Sequence, residues 1–277
     1  MTDLAHRFAR DGFVVVEDAF DTQSLRQIRS AAEEIVERFD IDRQRTVFRT
    51  DDQDSGRDEY FFESAEKASC FLEAGALDAE GRLHKPKHLA INKIGHGLHD
   101  VDVRVAEFCR HSAIREALSA LEWRDPVLQQ TMYIFKQPGI GGEVRWHQDG
   151  SYLIADGRGV MGLWVALEDA TKSNGCLWMQ PGAHQTPLRE RYTVDWSSGE
   201  ASLETLDDTP WESTDAVALE VPAGALVMFS DHMPHYSATN LSDRSRHAFT
   251  MHIKESDDRW ADVNWLQRKG AEFRIYG

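Results

Sequence analysis

The chain has 277 residues, 41% of them hydrophobic and 28% charged, an ordinary globular composition with room for one large or two small domains. Its formal net charge of −16 repels phosphodiester backbones and anionic lipid, which disfavours nucleic acid and membrane surfaces as partners. No apolar run is long enough to span a bilayer.

Cys70, Cys109 and Cys176 are sparse and lack C-x-x-C spacing. They fit free thiols in a reducing compartment. The first residues lack a basic-then-apolar signal pattern and Ile275-Tyr276-Gly277 is no peroxisomal address, so a cytoplasmic location is expected.

In chain order, residues 3–11 read as a short helix with Leu4 and Phe8 on one face, stopped by Gly12. Phe13–Val16 reads as a buried strand. Asp21 is the N-cap of a longer helix whose Leu25, Ile28, Ala32, Ile35 and Phe39 form an apolar stripe facing the core. Residues 41–65 carry many charges and little periodicity. They predict an irregular segment, either a solvated loop or a lid over a pocket. Lys93 stands in the mostly apolar stretch Ile91–His99, an uncommon place for an ammonium unless an anion pairs with it. His96 and His99, beside glycines, read as hydrogen-bonded structural groups before ligands. Two short helices follow, around 101–110 and 112–121.

From Val127 the pattern turns to strands: Met132–Phe135, the stretch around Trp146, Val160–Leu167, Cys176–Met179, Val217–Val221, Ala225–Phe229 and His247–Ile253. Short strands punctuated by Gly and Pro predict an antiparallel sandwich or jelly roll, with the preceding helices buttressing one sheet. Residues 186–216 read as a polar, irregular insertion. His184 follows Pro181-Gly182 and is explained by a turn.

The chemistry is expected at Trp146-His147-Gln148-Asp149-Gly150. This is the one H-x-[DE] match in the chain. On a strand, residues two apart share a face, so His147 and Asp149 can offer an imidazole nitrogen and a carboxylate oxygen to one metal ion. A second, distant His completes a 2-His-1-carboxylate triad, which leaves open positions and suits non-haem Fe(II). His235 and His232 both qualify, and spacing does not choose between them. The segment 228–253 reads as strand, polar turn and strand, with His235 ending the first and Arg246 beginning the second. Such a hairpin brings both side chains to one barrel mouth. A 2-oxo acid with a far carboxylate needs a fixed cation. Arg246 offers a planar fork, and the Ser237 hydroxyl can share the carboxylate.

The pattern His147-x-Asp149, then Asn174-Gly175-Cys176-Leu177 with Pro181-Gly182-Ala183-His184, then His235-x-Ser237-x-x-Asn240-x-Ser242-x-x-x-Arg246, resembles the phytanoyl-CoA dioxygenase family of Fe(II)/2-oxoglutarate oxygenases. The likeness is closer still to its domain-containing protein 1 group, with Ile91–His96, Met132–Pro138, Gly141–Val144, Glu168–Ala170 and Asn264–Gln267 as further blocks. The resemblance implies a double-stranded β-helix (a jelly-roll, cupin-like core) in a single domain over 1–277. Helices within 1–125 buttress a core of about 127–255, and a C-terminal segment follows over 256–277. It implies His147, Asp149 and His235 as iron ligands, and Arg246 with Ser237 on the 2-oxoglutarate carboxylate. Lys93, Met132 and Trp164 also line the cosubstrate. Fe(II), 2-oxoglutarate and O2 are implied, with ascorbate as an optional reductant. The implied reaction hydroxylates an unactivated C–H bond of a small-molecule substrate and releases succinate and CO2. An aspartate at 149, where Gly or Ala would open a halide position, favours hydroxylation over halogenation. Ala183 departs from the family's usual Ser, and 186–216 does not align. Two rivals stand beside this reading: an iron- and 2-oxoglutarate-binding regulatory protein without turnover, and a metal-dependent cupin-like hydrolase.

Overall fold

The structure is a computed structural model that describes residues 2–48, 59–211 and 213–277. The N-terminal half runs α1 (Asp3–Asp11), β1 (Phe13–Val16), α2 (Thr22–Arg38), β2 (Val47–Phe48), α3 (Glu59–Glu63), β3 (Ala68–Glu73), α4 (Lys87–Ala90), β4 (Ile91–His96), α5 (Leu98–Val101), α6 (Val103–Cys109) and α7 (Ser112–Ala120). The core strands are β5 (Pro126–Ile134), β6 (Val144–His147), β7 (Met161–Ala166), β8 (Leu177–Met179), β9 (Glu190–Asp195), β10 (Glu200–Thr205), β11 (Val217–Leu219), β12 (Leu226–Ser230), β13 (His235–Ser237) and β14 (Ala248–Glu255). β15 (Phe273–Arg274) adds to β5.

Local chemistry explains the helix ends. The Thr2 hydroxyl accepts from Ala5 N at 3.1 Å and caps α1. The Asp21 carboxylate accepts from Ser24 N at 2.7 Å and caps α2. α1 ends at Gly12, whose φ of 80° is open to glycine at no steric cost.

The strands form a double-stranded β-helix. The larger sheet has the order β1-β12-β7-β14-β5-β4-β3-β2, and the smaller β11-β8-β13-β6. Strand alternation sorts the residues of β14. Phe249, Met251 and Ile253 face outward and pack in one cluster with Leu25, Ile28 and Ala32 of α2 and with Phe108 of α6. Thr250 and His252 face inward and, with Arg246 just before the strand, line a cavity between the sheets. Each fully buried Leu- or Phe-sized side chain contributes about 1.5–3 kcal/mol, so the helix-backed outer face anchors the large sheet.

Four sequence expectations need correction. Asp149 is not on a strand: β6 ends at His147, and Asp149 opens a 3₁₀ turn over Asp149–Ser151. His235 does not end the strand before it. β12 stops at Ser230, and His235 opens β13 in the other sheet. The insertion 186–216 is not irregular throughout: β9 and β10 pair as a hairpin that buries Tyr192 and Val194. Those residues alternate with polar ones along β9, too short a run to stand out from its surroundings. In β1 only Val14 is fully buried, because β1 is an edge strand. The segment 41–65 has structured flanks, β2 and α3, and the lid reading falls mainly on 49–58, outside the described residues. No helix among the described residues is long and apolar enough to cross a membrane.

Candidate metal centre

His147 ends β6 and His235 opens β13, and these two residues are direct partners across the ladder. Their rings lie 4.1 Å apart, centroid to centroid. The His147 and His235 Nε2 atoms each stand 3.7 Å from Asp149 Oδ1. Ligand atoms of the three residues all lie within 4.8 Å of one another, the one such group among the described residues. That spacing leaves room for an ion with ligand bonds of about 2.0–2.2 Å.

The rings are oriented from behind. His147 Nδ1 donates to Arg145 O at 2.9 Å, and His235 Nδ1 donates to Met233 O at 3.0 Å. Both Nε2 lone pairs therefore face the centre, the arrangement metal-binding imidazoles require. Burial, reinforced by neighbouring His235, pushes His147 down to about 3, so its ring is neutral. Burial alone would raise Asp149. The His252, His235 and His147 rings outweigh it and hold the carboxyl well below the usual range, ionised.

Of the two candidate histidines, the structure brings His235 into the group and leaves out His232, whose Nδ1 lies 3.3 Å from Thr186 O. His184 sits in a 3₁₀ turn against Gly12, also outside it. His96 and His99 are hydrogen-bonded, to Ser64 Oγ at 2.7 Å and Thr131 Oγ1 at 3.0 Å.

The triad opens into a cavity of about 430 Å³. Arg246, 2% exposed, lines the same cavity. Its Nε donates to Gly175 O at 3.0 Å and its Nη2 to Ser237 Oγ at 3.3 Å, while buried Nη1 has no partner. Burial pulls the guanidinium down to about 10, still charged at neutral pH. A buried donor left unmade costs about 1–3 kcal/mol, so Nη1 marks a place for an acceptor. Ser237 Oγ donates to the same Gly175 O at 2.9 Å. Gly175 has φ 85°, and a Cβ there would meet Ala238 O at 2.7 Å, so the loop carrying that shared carbonyl needs glycine.

Met132, Thr250 and Trp164 are cross-strand neighbours on β5, β14 and β7, a row along the cavity wall. Lys93 enters from β4, its Nζ 3.8 Å from Met132 Sδ and 3.5 Å from the Phe48 ring centroid. All the predicted site residues thus line one cavity.

Sequence reasoning missed several others that line it. Thr250 Oγ1 is buried without a partner. His252 Nε2 lies 2.9 Å from Asp149 Oδ2. Counting by twos from Arg246 reaches Ala248, Thr250 and His252, a signal that could have found both. Lys136 and Glu73 also face the cavity. Burial, with Arg246 nearby, pulls Lys136 down to about 7, and burial raises Glu73. Lys136 lies in the Met132–Pro138 block but was given no role, and Glu73 stands in no motif.

A family model described as phytanoyl-CoA dioxygenase (PhyH) matches residues 8–248. A phytanoyl-CoA dioxygenase of Arabidopsis thaliana is 42% identical over 271 residues, covering 97% of this chain and 94% of that protein. The phytanoyl-CoA dioxygenase domain-containing protein 1 homolog of Caenorhabditis elegans is 37% identical over 276 residues, covering 96% of each. Among solved structures, the epimerase SnoN in complex with Fe3+, alpha ketoglutarate and nogalamycin RO superposes with a TM-score of 0.66 at 16% identity, covering 97% of this chain and 90% of that one. EvdO2 from Micromonospora carbonacea var. aurantiaca complexed with 2-oxoglutarate gives 0.60 at 17%, covering 97% and 98%. The structural matches speak for the fold, and the sequence matches go further: the chain belongs to the phytanoyl-CoA dioxygenase family.

Proposed function

We propose that residues 1–277 form a single dioxygenase domain, dependent on Fe(II) and 2-oxoglutarate, that hydroxylates an unactivated C–H bond of a small-molecule metabolite. The observation that carries this is one cavity with two kinds of unfilled donor. His147, Asp149 and His235 converge on it. Arg246, also in its lining, has a buried and unpartnered Nη1. The residues fit the groups the family implies. His147, Asp149 and His235 hold the iron. Arg246 and Ser237 take the far carboxylate of 2-oxoglutarate, while Lys93, Met132 and Trp164 line its bed. Iron, when bound, supplies the activation of O2, which is coupled to decarboxylation of the 2-oxo acid to succinate and CO2. The protein positions both reactants and excludes water: Phe229 packs against His235, and Leu177 and Trp164 wall the same cavity. The cavity size suits a small molecule, and the net charge of −16 weighs against nucleic acid.

The test is succinate formation by protein purified without oxygen, then given Fe(II), 2-oxoglutarate and O2. Wild type is expected to make succinate only with O2, and Asp149→Ala to make none above background. Equal amounts from both would end the assignment, and turnover without O2 would favour a hydrolase. Product mass spectrometry over a metabolite panel, reading a gain of one oxygen, separates an enzyme from a protein that only binds iron and 2-oxoglutarate.

A further inference from the structure

We infer that His252 is a positioning residue for the metal centre: it holds Asp149 by Oδ2 so that the carboxylate meets the ion through Oδ1 alone. The inference rests on the metal reading above. His252 is 4% exposed and stands on the inner face of β14. Its Nε2 is 2.9 Å from Asp149 Oδ2, and its Nδ1 is 2.8 Å from Gln130 Nε2 on β5. The Gln130 amide donates to Nδ1. Nδ1 is thereby the accepting nitrogen, and Nε2 carries the proton that it donates to Asp149.

A bulge aims this pair. The register of β14 against β5 shifts between His252 and Ile253: His252 faces Gln130, whereas Ile253 faces Leu128. Gln129 is the extra residue on β5, and bulges re-aim the side chains beside them. Asp149 opens a 3₁₀ turn beyond the end of β6, where its carbonyl accepts from Tyr152 N at 2.9 Å and Leu153 N at 3.0 Å; the turn fixes the backbone, and His252 fixes the carboxylate. A carboxylate with both oxygens free can chelate an ion through two of them. With Oδ2 engaged by His252, Asp149 takes one position, and its Oδ1 stays 3.7 Å from both histidine Nε2 atoms. Three of six positions then stay open for a chelating keto acid and O2.

The metal-free chain is titrated with Co(II) without oxygen, following cobalt visible absorption and tryptophan fluorescence. For His252→Leu the dissociation constant for Co(II) is expected to rise about 10–100-fold, the usual cost of removing a hydrogen-bond partner behind a ligand. His252→Gln offers an amide N–H toward the same oxygen and is expected to recover most of that affinity, which a purely structural role would not predict. Gln130→Leu removes the group that sets the tautomer and is expected to weaken Co(II) in the same direction by less. It serves as the deciding variant should His252→Leu fail to fold. If His252→Leu, or in its place Gln130→Leu, binds Co(II) as tightly as wild type, the inference is overturned. Wild type that takes up no Co(II) would instead sink the metal reading itself.

Discussion

Replacing Arg246 by Met removes the charge and keeps much of the volume. In the unliganded protein Arg246 is buried with Nη1 unpartnered while Nε and Nη2 are hydrogen-bonded, so its loss gives up two hydrogen bonds and relieves a buried cation. The two effects oppose each other, and the melting temperature is expected to change little. The loss appears when the cosubstrate binds. Truncating one side of a buried, hydrogen-bonded charge pair costs about 2–5 kcal/mol. At about 1.4 kcal/mol per decade, that is about 30-fold to about 4,000-fold in affinity for 2-oxoglutarate. The assay is calorimetry on the Ni(II)-loaded chain, which binds without turning over, comparing 2-oxoglutarate with 2-oxopentanoate. The second acid has a methyl group where the far carboxylate would be. Wild type should strongly prefer 2-oxoglutarate, and Arg246→Met should lose that preference while binding 2-oxopentanoate as before. If Arg246→Met still discriminates between the two acids, the far carboxylate is held elsewhere and the reasoning fails.

Thr250→Val deletes a buried hydroxyl that has no partner, so stability should hold or rise while KM for 2-oxoglutarate increases; an unchanged KM removes Thr250 from the site. Gly175→Ala forces an L side chain to φ 85° at a cost of about 1–2 kcal/mol and shifts the carbonyl that holds Arg246 and Ser237. Calorimetry should show weaker 2-oxoglutarate binding with Co(II) affinity kept, and loss of both would mean wider damage. Acid should destabilise the fold before carboxylates titrate. Burial pushes His99 down to about 3 and His247 to about 4, so between pH 6.5 and pH 4 the unfolded chain binds protons that the folded chain refuses. Stability is full above pH 6.5 and falls as pH drops, by up to about 3 kcal/mol for His99 at pH 4. Urea unfolding across that range should show a slope that His99→Leu reduces, and an unreduced slope would exclude His99 as its source.

Much of the fold could be read from the residues because local signals agreed with it. The caps Asp21 and Gly12 and the stripe from Leu25 to Ala32 obey helix chemistry that needs no tertiary information. The ligand pair His147 and Asp149 was legible from its spacing. The reason given for it was partly wrong, since the turn after β6 brings Asp149 round and not strand alternation. Spacing left His235 and His232 level and only the resemblance favoured His235; the physical reason is the cross-strand pairing of His235 with His147, a contact 88 residues apart in sequence that no local pattern encodes. Counting by twos from Arg246 puts His252 on the inner face, but its role was not legible: its partners, Asp149 and Gln130, are more than a hundred residues away, and the bulge that aims it leaves no mark in composition.

The hairpin of β9 and β10 belongs to neither sheet of the barrel. It is fastened to β6 by Arg145, whose Nη2 meets Glu190 at 3.0 Å, and seated by Tyr192 and Val194. Its turn can therefore change in length without disturbing the ladder in which His147 and His235 are paired. Shortening the turn over 197–199 should therefore leave Co(II) affinity unchanged, read by the same titration.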